Sequence, residues 1–348
     1  GRVRRHPRQW HRSTQTGEIA MPLHDTLARR LRLPAIAAPM FLTSGPDLVV
    51  EVCRSGLLGT FPALNQRTSE GFEDWLREIA ERLADAPHAA PFGVNLIVHR
   101  SNPRLAADLK IVVAHRVPVV ITSLGAVSDV VDAVHSYGGL VFHDVVNRRH
   151  GEKAAEAGVD GIVAVCAGAG GHAGTMSPFA LVGEIASFFE GMIVLSGAIS
   201  TGRQVAAARM MGADLAYLGT RFIATKEAMV APAYKEMIIS SKATDIVYTA
   251  RLSGVHANFM RQSIVAAGLD PDDLPEHGGL EMNSEAKVWK NFWSAGQGVG
   301  SIDDVPGAAE LCARLVADYR DAMTSAFRDP YKEAALAERR RESGREPG

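Results

Sequence analysis

The ten residues Cys166-Ala167-Gly168-Ala169-Gly170-Gly171-His172-Ala173-Gly174-Thr175 contain almost nothing that can fill a hydrophobic core. A run so poor in side chains forms a flexible or ligand-hugging loop, because glycine lets the backbone approach a bound group closely. Cys166 aside, its one group titrating near neutral pH is His172, which marks that histidine as a candidate to hold or move a proton. Most of the 12 histidines are expected to have surface or structural roles; His172 stands apart because its loop offers little else for proton transfer. Two more small-residue stretches follow, Ser196-Gly197-Ala198-Ile199-Ser200-Thr201-Gly202 and Gly219-Thr220-Arg221-Phe222. Turns of this kind present main-chain N–H groups and a helix N-terminus to phosphate oxygens. Either one alone is an ordinary turn, whereas two at consecutive strand ends favour a phosphate site. Other strand ends carry Met40, Asn95, Thr122, Ser123, His143 and Asp144. Asn95 and Ser123 are suited to hydrogen-bond a planar heterocycle and Met40 to offer it a backbone N–H, although strand-end and turn roles explain each equally well. Further on, Trp293-Ser294-Ala295-Gly296-Gln297-Gly298 joins an aromatic ring, small residues and one amide, a combination fit to close over a cofactor or to end a helix.

The elements that must position these residues alternate short β-branched runs with segments of helical period. The spacing predicts strands over 35–38, 57–61, 92–97, 117–122, 140–144, 161–165, 192–196 and 215–218. Helices are predicted over 46–55, 69–84, 103–115, 127–136, 148–157, 178–189, 202–211 and 221–231. Strands apolar on both faces, each followed by a helix, fit an α/β protein of the (β/α)8 barrel type, in which loops after the strands carry the chemistry and a phosphate site often follows strands seven and eight. The rival, a doubly wound open sheet, calls for a GxGxxG turn after the first strand, where this chain has Ala38-Pro39-Met40. Residues 1–20, rich in arginine, read as a leader or disordered arm; 21–231 as the barrel; 232–300 as an inserted, mostly helical lid subdomain; 301–327 as a closing helix with Leu311, Leu315 and Ala322 at helical spacing; and 328–348 as a tail.

Composition narrows the function classes. Lys+Arg 37 against Asp+Glu 39 leaves a formal net charge of -2, so nothing draws the chain electrostatically to nucleic acid or an anionic membrane. Aromatic residues at 6% argue against a base-stacking platform. No apolar run is long enough to cross a bilayer. Three widely spaced cysteines, Cys53, Cys166 and Cys312, suit neither a disulfide framework nor a metal site, which suggests a reducing, cytoplasmic setting. The 33 glycines exceed the usual share of about 7% and crowd into residues 158–219.

Ala38-Pro39-Met40, Phe92-Gly93-Val94-Asn95, Ala169-Gly170-Gly171-His172-Ala173-Gly174, Ser196-Gly197-Ala198-Ile199, Gly212-Ala213-Asp214, Gly219-Thr220-Arg221-Phe222 and Ala295-Gly296-Gln297 occur in that order. In these residues the chain resembles the nitronate monooxygenases, also called 2-nitropropane dioxygenases, over about 35–325. The resemblance implies an FMN-dependent barrel with an extra lid. It makes His172 the catalytic histidine, assigns Met40, Asn95, Ser123, His143, Gly171 and Gln297 to flavin contacts, and gives Gly197, Ala198, Gly219 and Thr220 to the phosphate. The implied reaction takes an alkyl nitronate and O2 to a carbonyl compound and nitrite. Its partners are those small molecules, with no metal, no nucleic acid and no membrane, and it leaves room for a homodimer. The alternative from the same superfamily is an NAD(P)H-dependent FMN reductase acting on quinones or enoyl thioesters. Two departures stand out: Asp144 follows His143 where many members carry a lysine, and Val165 to Gly168 lack the acidic residue many members place before the Gly-Gly-His run.

Overall fold

A computed structural model of the chain describes Leu27, residues 29–125, 127–275 and 290–327, Val288 and Tyr331. The arm over 1–20 and, Tyr331 apart, the tail over 328–348 lie outside the described residues.

The strands are β1 (Ala35–Ala37), β2 (Leu58–Pro62), β3 (Phe92–Ile97), β4 (Val119–Ser123), β5 (Leu140–Val145), β6 (Gly161–Val165), β7 (Gly171–His172), β8 (Met192–Ser196), β9 (Leu215–Leu218), β10 (Ile246–Thr249) and β11 (Ala257–Met260). All but β7, β10 and β11 run parallel in one closed barrel, sealed where β1 pairs with β9. Closure follows from strands apolar on both faces. One set of alternating positions, including Ile36, Leu58, Val119, Ile121, Phe142, Val163, Val194 and Leu215, fills the inside. The other set, including Val94, Val120, Val141, Ile162 and Ile193, packs against the helices. Phe142 is fully buried, a burial that stabilises by about 1.5–3 kcal/mol relative to exposure.

The helix Gly202–Met210 starts from a capping box in which the Thr201 hydroxyl accepts from Gln204 N–H and the Gln204 side chain accepts from Thr201 N–H. It lies against the closing helix Ala308–Phe327, whose Leu311 and Leu315 are buried. A Cβ at Gly202 would stand 2.5 Å from the Tyr319 backbone nitrogen, so glycine is what permits the approach.

Two segments depart from expectation. The helix predicted over 221–231 stops after Thr220–Ile223. Thr225 Oγ1 donates to the Phe222 carbonyl at 2.8 Å, while Lys226 N–H and Met229 N–H go to Pro306 and Thr43, so the ladder has no continuation. The inserted segment does contain helices, Pro232–Ser240 and Arg261–Ala266, but it also builds an antiparallel sheet in the order β10-β11-β7. That sheet takes the His172 loop as its third strand, with Ala257 opposite His172 and Asn258 opposite Gly171.

Candidate functional site

The loops at the C-terminal ends of the barrel strands surround a cavity of about 1840 Å³. Along each strand, side chains alternate between the inside and the helix layer, and this parity decides which strand-end residues face in. Ser123 shares the inward parity of Val119 and Ile121, Asp144 that of Leu140 and Phe142, and Tyr217 that of Leu215. His143 has the parity of Val141 and Val145, which belong to the outer core. Its side chain turns to Thr122 Oγ1, 2.8 Å from Nδ1, and borders the cavity near His150. Burial and the neighbouring His150 push His143 down from 6.5 to about 4, so it is neutral at physiological pH. His143 thus reaches the cavity from beside the inner wall, on which Asp144 stands.

Asn95, Ser123 and Asp144 form a chain of hydrogen bonds across three adjacent strands. Asn95 Nδ2 donates to the Ile121 carbonyl at 3.2 Å and to Ser123 Oγ at 2.9 Å, and Ser123 donates in turn to Asp144 Oδ2 at 2.5 Å. With both amide protons used inside the protein, Asn95 has Oδ1 to offer a guest. Burial raises Asp144 from 3.8 to about 6, against the opposing pull of the Ser123 hydrogen bond and of His172. Tyr217 is held well above its ordinary value by burial and by the nearby Asp144.

The His172 loop is tied to the added sheet at several points. Gly171 N–H donates to Ser294 Oγ at 2.7 Å, and the same hydroxyl donates to the Asn258 carbonyl at 2.6 Å. Asn258 Nδ2 donates to the Ala169 carbonyl at 2.7 Å, and Tyr248 donates to the Ala173 carbonyl at 3.0 Å. A Cβ at Gly170 would come within 3.0 Å of Gly296 N, which explains glycine at this crossing. Behind the latch Tyr234 and Trp293 stack, with ring centroids 4.8 Å apart. Trp293 and Ser294 line the cavity, so this stretch does close over it. Gln297 does not: its N–H pins the Gly168 carbonyl at 2.8 Å, its side chain is exposed, and the cavity wall is made by Gly296 and Gly298 on either side.

Next to this loop, and in contact with Gly296 and Gly298, Ser196, Gly197, Ala198, Gly219 and Thr220 come together on the cavity wall. The non-glycine Ala198 adopts φ 54, a left-handed turn that holds the stretch open at a cost of about 1 kcal/mol. The helix dipole expected at Thr220 is weak, since Thr220–Ile223 spans four residues, and the amides opening Gly202–Met210 are already capped. Arg221 turns away to Asp304, with its Nη2 2.6 Å from Oδ1. An anion here would rely on turn amides and on Thr220, whose Oγ1 accepts from Gly296 N–H at 2.8 Å and so keeps its own proton to donate. Met40 lines the wall, but its N–H is already given to Ser44 Oγ at 3.0 Å, which leaves its side chain as the contact surface.

The model of the nitronate monooxygenase family matches residues 26–318. The chain belongs to this family. It is accordingly an oxidoreductase, and family members are flavin-dependent in general. A nitronate monooxygenase of Paraburkholderia phytofirmans is 28% identical over 83% of this chain and 93% of its own length. The solved nitroalkane oxidase of Streptomyces ansochromogenes superposes with a TM-score of 0.73 at 22% identity, covering 86% of this chain and 99% of that one. FabK from Thermotoga maritima gives 0.72 at 23% identity over 87% and 96%. Both structures share the barrel.

The residues present fit a bound flavin mononucleotide. The cavity exceeds the roughly 300–1,000 Å³ of a usual small-molecule site. A Cβ at Gly219 would meet nothing nearer than Ala38 and Met40, both 3.7 Å away on the cavity wall, so what glycine keeps clear there is the cavity itself.

Tyr217 and Ser294 escaped the sequence reading as site residues. Tyr217 was accessible from the alternation Leu215-Ala216-Tyr217-Leu218; Ser294 carried no signal beyond its place beside Trp293.

Proposed function

We propose that this chain oxidises alkyl nitronates with O2, giving a carbonyl compound and nitrite, and that FMN is its cofactor. The observation that carries this reading is His172 held on the wall of a large cavity by the pairing of β7 with β11, in a chain of the nitronate monooxygenase family. FMN, when bound, supplies the redox chemistry; the protein orients the reactants, sets their electrostatics and governs access. The turn amides of Gly197 and Ala198, with Gly219 and Thr220, hold the phosphate. Asn95 faces the heterocycle with Oδ1, Ser123 fixes Asn95, and Gly171 and Met40 form the walls. His172 stands where an anionic nitronate needs a cation or a proton donor, and it serves as acid, base or electrostatic partner according to its protonation. Three buried free cysteines fit a cytoplasmic setting.

The purified holoprotein should show a flavin spectrum that an alkyl nitronate bleaches under anaerobic conditions and O2 restores, with nitrite released. Rapid bleaching by NADH with no response to the nitronate would overturn the reading in favour of the reductase alternative.

A further inference from the structure

Asp144 is the only carboxylate on the cavity wall among the described residues. It stands on the inner face of β5, and its place there is fixed. Ser123 Oγ donates to Oδ2 at 2.5 Å, and Asn95 Nδ2 donates to the same hydroxyl oxygen at 2.9 Å. Oδ1 has neither solvent exposure nor a hydrogen-bond donor, so little screens the charge on that side. The strong cations that border the cavity do not neutralise it. Arg67, Lys153 and Lys290 are exposed, where solvent and salt damp their field, and Arg104 is paired with Asp108 at 3.0 Å. The titratable groups facing the carboxylate are His172 on β7 and Tyr217 on β9. From the flanking strands come Ser123 on β4 and the apolar Val163 and Val165 on β6, and the adjoining His143 is neutral. Burial lifts Asp144 only to about 6, so at neutral pH the wall carries a negative charge.

We infer that the Asp144 carboxylate sets the reduction potential of the bound flavin, holding it low by opposing the negative charge that the ring gains on reduction. The inference rests on the FMN reading, in which the heterocycle lies against Asn95 Oδ1. Asp144 is joined to Asn95 by two consecutive hydrogen bonds, so a ring seated there lies within about 10 Å of the carboxylate. At an effective dielectric of about 20, a unit charge at that distance shifts a charging equilibrium at least tenfold. Asp144 touches no reacting atom in this role; it acts through the cofactor. At a position where many family members carry a lysine, this chain reverses the sign of the field, which favours passing electrons out to O2 over retaining them at the site.

The test reads the cofactor instead of turnover. Spectroelectrochemical titration of the holoprotein at about pH 8, where the carboxylate is ionised, should give a higher midpoint in Asp144→Asn than in wild type. The expected tenfold shift of a two-electron equilibrium is about 30 mV. Asp144→Glu, which keeps the charge, should stay near wild type. In wild type the midpoint should fall more steeply as pH rises through about 6, where Asp144 gives up its proton. That steepening should vanish in Asp144→Asn and persist in His172→Asn, which separates the carboxylate from the histidine facing it. Thermal unfolding shows whether each variant has folded; if Asp144→Asn has not, the profiles of wild type and His172→Asn carry the test. An unchanged midpoint in folded Asp144→Asn, an equal rise in Asp144→Glu, or loss of the steepening in His172→Asn would overturn the assignment. Apoprotein that takes up no FMN overturns the cofactor reading together with it, whereas FMN bound with a midpoint indifferent to residue 144 overturns the assignment alone.

Discussion

Ser294→Ala isolates the latch over the His172 loop. The hydroxyl accepts from Gly171 N–H at 2.7 Å and donates to the Asn258 carbonyl at 2.6 Å, so its removal takes a partner from one half-buried and one buried residue's main chain on facing strands. A net hydrogen bond is worth about 0.5–1.5 kcal/mol, and an orphaned buried donor costs about 1–3 kcal/mol. Water admitted from the cavity offsets part of that, leaving about 2 kcal/mol, or roughly a 30-fold rise in the opening equilibrium of the β7–β11 pair. Amide hydrogen exchange read by mass spectrometry on peptides spanning 168–175 and 255–260 should show that increase. Peptides from β1 to β6 should be unchanged, because the barrel ladder does not pass through Ser294. Unaltered protection at Gly171 and His172, or a uniform increase across the barrel strands, would refute the idea that this hydroxyl fastens the loop.

Three further outcomes follow from the geometry. Gly219→Ala should raise the FMN dissociation constant at least tenfold, about 1.4 kcal/mol, in a fluorescence titration, while the apoprotein's melting temperature moves little, since the added methyl enters the cavity and clashes with no protein atom. Gln297→Ala should leave FMN affinity within about twofold, because that side chain is exposed and lies off the cavity wall. His143 titrates at about 4 when folded against 6.5 in the open chain, so its share of stability is present above pH 6.5 and lost as pH falls towards 4. The loss amounts to at most about 3 kcal/mol. In denaturant melts across that window His143→Gln should lose less stability than wild type. Asp144 works in the opposite sense in both proteins, since its folded value is raised.

The barrel was legible because its signal is redundant: runs such as Gly161–Val165 and Met192–Ser196 are apolar on both faces and bounded by turns, so the predicted and observed limits coincide there. The same property hid the orientation of the site. When both faces of a strand are buried, alternation shows that His143 and Asp144 point opposite ways but not which one points in. Only closure of the barrel, which puts Phe142 inside, assigns Asp144 to the cavity. The sheet that holds His172 was illegible for another reason. A two-residue strand has no period, and its pairing with Ala257 and Asn258 is a long-range event that no local window contains. The glycines of the His172 loop did announce a close approach, but what approaches is chiefly the protein's own Gly296 and Ser294.

Gly171 and Ser294 stand 123 positions apart, and this separation orders events on the ribosome. The last barrel strand ends at Leu218, so every barrel strand has been translated well before the residues that fasten the His172 loop. Because domains generally fold as they are synthesised, from the N-terminal side, the scaffold can form around a loop with nothing yet to hold it. The fastening of that loop is thus a late event in the life of each molecule, completed only when Ala257, Asn258 and Ser294 have emerged and docked.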